Sequence, residues 1–133
     1  MNRRSLLVAV LIGVLSVVAG QMHAQQQVIP DTAAASNVGQ TLTVEGTVAS
    51  VTVLRTGTTF LNFGAAYPEQ TFTAVIFRSA ASRFPNPQQW EGKRVRVTGK
   101  VQLYRGKPEI ILNDASQLVA APEGASGSLC AVR

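Results

Sequence analysis

Cysteine and histidine are almost missing from this chain, with one of each, Cys130 and His23. A single thiol cannot close an internal disulfide, so packing has to hold the fold. Cys130 sits in the terminal "SLCAVR" and reads as an unpaired tail residue, with an intermolecular disulfide as the alternative. His23 lies in a leader-like segment that export would remove. That leaves no imidazole base and no histidine metal ligand. Serine and cysteine triads and zinc sites of the usual composition are thereby excluded. Acids are scarce too: Asp31, Glu45, Glu69, Glu91, Glu109, Asp114 and Glu123 are the seven. They fall singly on different elements, with no Asp-x-Asp or Glu-x-x-Glu spacing for paired acid–base or metal work. Glu91 reads as support for a helical turn before Gly92, and Glu109 as an offset to Lys107 or Arg105. "RTGTT" lacks the strand–loop–helix context of a phosphate-binding loop. These absences point to a protein that is not an enzyme and needs no cofactor or metal.

Long apolar runs are missing except for one. Leu6 to Gly20 is an unbroken apolar or small run of about 15 residues behind Arg3 and Arg4. It falls short of the roughly 20 residues that span a bilayer. A basic start, a short apolar stretch and small residues form the layout of a secretory signal peptide. The expected cut follows Gly20 or Ala24, so residues 1–24 are read as signal. The mature protein is then periplasmic or secreted, with no stable membrane span. The paired arginines also fit a twin-arginine signal, a weaker reading.

Charge of one sign dominates only locally. With Arg3 and Arg4 removed, ten cations stand against seven acids, a net +3. Six of the ten fall between Lys93 and Lys107. Such clustering suggests a surface that faces anions. A solvated strand face is the alternative.

What remains is β-rich. Residues 25–37, with Pro30 and "DTAAASN", read as a flexible N-terminal arm. Residues 120–133 read as a flexible tail, leaving 38–119 as the folded domain. "TLTVEGTVASVTVL" is a long strand whose apolar phase changes from Leu42, Val44 and Val48 to Val51 and Val53. Gly46 or Ala49–Ser50 is the expected place for a bulge. "FLNFG" and "TFTAVIF" follow as strands, the second with Phe72, Ala74 and Ile76 on one face. "SAASRF" and "NPQQWEGK" predict short helical turns, with Asn86 as cap and Pro87 at the first position. Phe77, Phe84 and Trp90 are expected to pack. In "RVRVTGKVQLY", Val95, Val97, Val101 and Leu103 alternate with Arg94, Arg96, Thr98, Lys100, Gln102 and Tyr104. "RGKP" is a turn explained by Gly106 and Pro108, and "EIILN" is the last main strand. Three strands, a short helical connection between strands three and four, then two strands is the order of an all-β, five-stranded OB-fold Greek-key barrel. An SH3-like barrel is the rival, usually without so long a connection there.

The stretch "VGQTLTVEGTVASV…FLNFGAAYPEQTFTAVIF…WEGKRVRVTGKVQLYRGKPEIILNDASQL" resembles bacterial OB-fold domains of the nucleic-acid-binding type found in exported proteins. The motifs "G.V..V", "EGK.V.VTG" and "Y.GKPEI" carry the likeness over Val38–Leu118. It implies an OB barrel that binds single-stranded nucleic acid weakly and without strong sequence preference. OB domains bind across strands two and three and between the loops joining strands one to two and four to five. Those loops are "RTGTT" and "YRGKP" here. Cations along the phosphates and flat rings for the bases are what a single strand requires. The candidates are Arg55, Lys100, Arg105 and Lys107 for the first, and Phe60, Tyr67, Phe72 and Tyr104 for the second. Phe60 and Phe63 have odd spacing, so one of them faces the core. The competing expectation is a periplasmic or secreted interaction module for an envelope protein, a glycan or a small anionic ligand. Oligomeric state is left open.

Overall fold

The structure, a computed structural model, describes residues 27–123. The expected signal peptide, His23 and Cys130 lie outside the described residues. Eight strands carry an all-β architecture: β1 (Val28–Pro30), β2 (Thr41–Val53), β3 (Thr59–Phe63), β4 (Phe72–Ile76), β5 (Arg94–Lys100), β6 (Gln102–Tyr104), β7 (Lys107–Ile111) and β8 (Leu118–Ala120). Helical segments among the described residues are short 3-10 turns at Asp31–Asn37, Arg78–Arg83, Pro87–Trp90 and Ala115–Gln117. None is long and apolar enough to cross a membrane.

β2 organises the sheet because it is long enough to serve two ladders. Its first half, Thr41 to Thr47, pairs antiparallel with β5, and Val48 to Val53 pairs antiparallel with β3. The register slips between Val48 and Ser50. That bulge is the phase change visible in the apolar pattern, since one extra residue turns every later side chain to the other face. β3 pairs with β4, β4 runs parallel to β7, and β7 returns to β6. The order is β6-β7-β4-β3-β2-β5-β8, with β1 beside β2. β5 and β6 stand far apart in this order, yet only Val101 separates them in the chain.

Apolar residues of alternating parity converge in one core. Leu42, Val44, Val48, Leu61, Val95, Val97, Val101 and Ile110 are each buried. Phe63 and Phe72, directly opposed in the β3–β4 ladder, meet edge to face with ring centres 5.1 Å apart. That is the arrangement the ring quadrupoles favour. Gly99 lies where β5 crosses β7: a Cβ there would come 2.6 Å from Ile110 Cγ2. Gln117 clamps the segment after β7, accepting from the amides of Asn113 and Asp114 and donating to the carbonyls of Thr98 and Ile111.

Several expectations change. Residues 28–37, read as a loose arm, belong to the fold. β1 pairs parallel with β2, and Ala34 is fully buried. The Thr71 hydroxyl donates to Asp31, and a Cβ on Gly46 would sit 2.7 Å from Asp31 Oδ1, so the arm fits against a glycine. A polar, alanine-rich stretch hides this role, because Ile29 is its one large buried apolar residue and Ala34 packs without an apolar signature. Leu103 and Phe77 are exposed rather than packed. β6 is the outer part of a hairpin that projects past the core, and Phe77 follows the last buried position of β4. Asn86 does not cap through its side chain; it holds a left-handed conformation with φ 53°. Pro108 belongs to β7 and is buried, not part of the turn.

Candidate functional site

The β6–β7 hairpin forms one side of a groove of about 500 Å³. Its turn residues are Arg105 and Gly106, with φ 53° and 81°. Two successive positive φ values are the requirement of the tight turn whose twist matches a hairpin, and Asn-Gly is its usual occupant. Arginine at the first position is therefore costly to the backbone, and that cost is borne at a position lining the groove. The guanidinium lies over the Tyr104 ring, 5.2 Å from its centre. Tyr104 is exposed, as its outward parity requires.

The opposite wall comes from the end of β2 and from the loop before β4. Thr52 and Leu54 contribute from the first, Tyr67, Pro68 and Gln70 from the second. Pro108, which shares the inward parity of Ile110, also borders the groove, and its floor is the outward face of β3, β4 and β7: Phe60, Asn62, Thr73 and Glu109. Strand alternation selects these residues, since Phe60 and Asn62 share one parity on β3 while Leu61 and Phe63 take the core. The register then sets Asn62 opposite Thr73, and Thr73 beside Glu109.

A chain of hydrogen bonds fixes the floor. The Asn62 amide donates to Ser50 Oγ at 3.3 Å, Thr73 Oγ1 donates to Asn62 Oδ1 at 3.2 Å, and Gln70 Nε2 donates to Thr73 Oγ1 at 3.2 Å. Gln70 Oε1 is buried without a donor. Lys107 Nζ donates to the Gln70 carbonyl at 3.2 Å, tying the hairpin to the opposite loop. Glu109 is half-buried and makes no ion pair among the described residues, contrary to its expected offset of Lys107 or Arg105. Burial raises its carboxyl above the ordinary value, because removing water disfavours the charged form.

Of the residues singled out from the sequence, Phe60, Tyr67, Tyr104, Arg105 and Lys107 meet in this groove. Phe72 does not: it is fully buried against Phe63 and offers no face to a ligand. Arg55 is exposed on the turn one residue beyond Leu54, outside the groove lining. Lys100 ends β5 opposite Thr41, also outside it. The basic cluster divides as well. Arg94 and Arg96 both bind Glu45, at 2.9 and 2.8 Å. Burial pushes the Glu45 carboxyl up, but the bonds from Arg96 and Arg94 outweigh that and hold it below its ordinary value. These two arginines thus neutralise a buried acid on the β2–β5 face. Asn62, Gln70, Thr73 and Glu109 also line the groove and are not among the binding residues that the sequence singles out. The parity of β3, β4 and β7 was their available signal, but it needed the register to become a site. Among the described residues no group of three acids, histidines or cysteines is placed to hold a metal.

No protein-family model matches the chain, and no curated protein does. Among solved structures, a chain assigned as an aspartyl-tRNA synthetase from Leishmania major Friedlin is similar, with a TM-score of 0.49 and 10% identity. The match covers 77% of this chain and 22% of the synthetase chain.

Proposed function

We propose that the protein is a non-catalytic, exported OB-barrel binding protein. Its groove holds single-stranded nucleic acid, weakly and without strong preference along the strand. The observation that carries this is the meeting of three partly or fully exposed rings, Phe60, Tyr67 and Tyr104, with two cations, Arg105 and Lys107, in one groove. Rings accept the faces of bases and cations follow phosphates, which is the chemistry a single strand needs. The barrel is inferred from the strand pairing. Counting β5 and β6 as one interrupted strand joins the two halves of the sheet order through Val101. On that count the parallel β4–β7 pair and the antiparallel β2–β5 pair support the reading of a five-stranded Greek key. Export rests on the leader-like start of the sequence and gives the groove a ligand outside the cytoplasm.

Titration of a labelled oligonucleotide with the full chain at several salt concentrations tests the proposal. Binding should weaken as salt rises, because phosphate contacts release counterions. The Arg105→Ala, Lys107→Ala double variant should bind more weakly and with a shallower salt dependence. No binding at low ionic strength, or equal binding by both proteins, would overturn it.

A further inference from the structure

A carboxylate in the floor of a groove built for a polyanion needs an explanation. Glu109 shares the groove with Arg105 and Lys107, yet no cation pairs with it among the described residues. Lys107 gives one of its three N–H donors to the Gln70 carbonyl at 3.2 Å rather than to Glu109. The Arg105 guanidinium lies over Tyr104 instead. Glu109 is held by β7 between two ladders, with Thr73 on one side and Gln102 on the other. Its position is therefore set by the sheet and not by a flexible loop. Gln70, in the wall that bonds to Thr73, has surplus acceptor capacity too: its amide nitrogen serves Thr73, while Oε1 of this 6% exposed residue has no donor. Burial already disfavours the charged form of Glu109, so a ligand that donates hydrogen bonds to it relieves a cost that the free protein carries. A phosphate cannot do so, because its oxygens are acceptors and negatively charged.

We infer that Glu109 reads the base held in the groove and selects one with an exocyclic amino group, guanine above all. This rests on the nucleic-acid reading of the groove. Guanine offers adjacent N1–H and N2–H₂ donors to the two oxygens of one carboxylate. Hypoxanthine is the same ring without the amino group and keeps a single donor beside a carbonyl oxygen. Thymine has one donor, N3–H, flanked by two carbonyl oxygens that repel a carboxylate. The phosphates pass along Arg105 and Lys107 at the rim. Phe60, Tyr67 and Tyr104 contact the ring face and tolerate any base. The division is the one expected of nucleic-acid recognition, in which backbone contacts position and base-edge contacts specify.

The test uses the full chain and three short oligo(dT) strands, one unmodified, one with a central guanine and one with a central hypoxanthine. The guanine strand should bind about fivefold to tenfold more tightly than the hypoxanthine strand, the low end of what one base-edge contact discriminates. Glu109→Ala should bring those two strands to equal affinity and bind the all-thymine strand more tightly, since a negative charge near the phosphates is gone. Equal binding of guanine and hypoxanthine strands by the unaltered protein overturns the inference while leaving the nucleic-acid reading standing. This comparison needs no variant, so a failure of Glu109→Ala to fold does not remove it. A preference that survives in a folded Glu109→Ala variant also overturns the inference. Absence of binding to all three strands at low salt defeats the nucleic-acid reading and the inference with it.

Discussion

Replacing Arg105 by asparagine should stabilise the protein and weaken its binding at once. Arg105 holds φ 53° at the first position of the β6–β7 turn. The left-handed conformation costs an ordinary L-residue roughly 1–2 kcal/mol, a cost that asparagine largely escapes. Asn-Gly is the preferred pair for such a turn. Against this, the substitution removes the guanidinium from the Tyr104 ring, 5.2 Å away. A cation over an exposed ring is worth about 0.5–1 kcal/mol. The balance is a gain on the order of 0.5 kcal/mol, which for a domain of this size raises Tm by about 2–4 °C. Binding moves the other way. Losing one phosphate contact should flatten the plot of log affinity against log salt by about 0.7. Thermal melts followed by circular dichroism and an oligonucleotide titration over a salt series measure both effects on the same preparation. A fall in Tm would refute the turn argument. An unchanged salt slope would refute the placement of Arg105 against phosphate.

Phe60 and Phe72 should separate cleanly. Phe72→Ala empties the core beside Phe63 and should cost about 3–5 kcal/mol in urea denaturation, whereas Phe60→Ala should cost well under half of that and weaken oligonucleotide binding by about 1–3 kcal/mol. Gly99→Ala drives a methyl group toward Ile110 Cγ2, at 2.6 Å, and should destabilise by about 1–3 kcal/mol in the same denaturation assay. Glu45 should govern acid stability. Its folded carboxyl lies below the ordinary 4.5, so its contribution is complete above that pH and is lost as pH falls through the lowered value. Glu45→Gln should flatten that limb of a pH–stability curve. Glu109 has the opposite sign: its raised carboxyl favours the folded state below 4.5, and that advantage disappears as pH rises through the raised value. Glu109→Gln should therefore make the protein more stable at neutral pH than the unaltered chain, as read from denaturation midpoints.

The strands of the domain are legible in the chain because their cause is local. Alternation places Phe72, Ala74 and Ile76 inside, and the phase change after Val48 marks the bulge that lets β2 serve two ladders. Leu103 breaks the same rule, because alternation predicts a face but not how far the core extends along the strand. The arm at 28–37 is hidden for a different reason. Its anchors are Ile29, Ala34, an Asp31–Thr71 hydrogen bond and the close seat of Asp31 over Gly46, and together they make no apolar period.

Residue type and parity alone settle that rings and cations gather near the β6–β7 turn, since Tyr104, Arg105 and Lys107 are close neighbours in the chain. Their partners are a matter of register. The β4–β7 pairing brings Glu109 beside Thr73, and the Lys107 bond to the Gln70 carbonyl joins segments 37 residues apart. Charge clustering behaves the same way. Arg94 and Arg96 read as part of a basic surface until the β2–β5 ladder sets Glu45 between them. Local pattern follows from covalent neighbours, whereas which charge is neutralised, which ring is buried and which acid stands alone depends on contacts between strands distant in the chain.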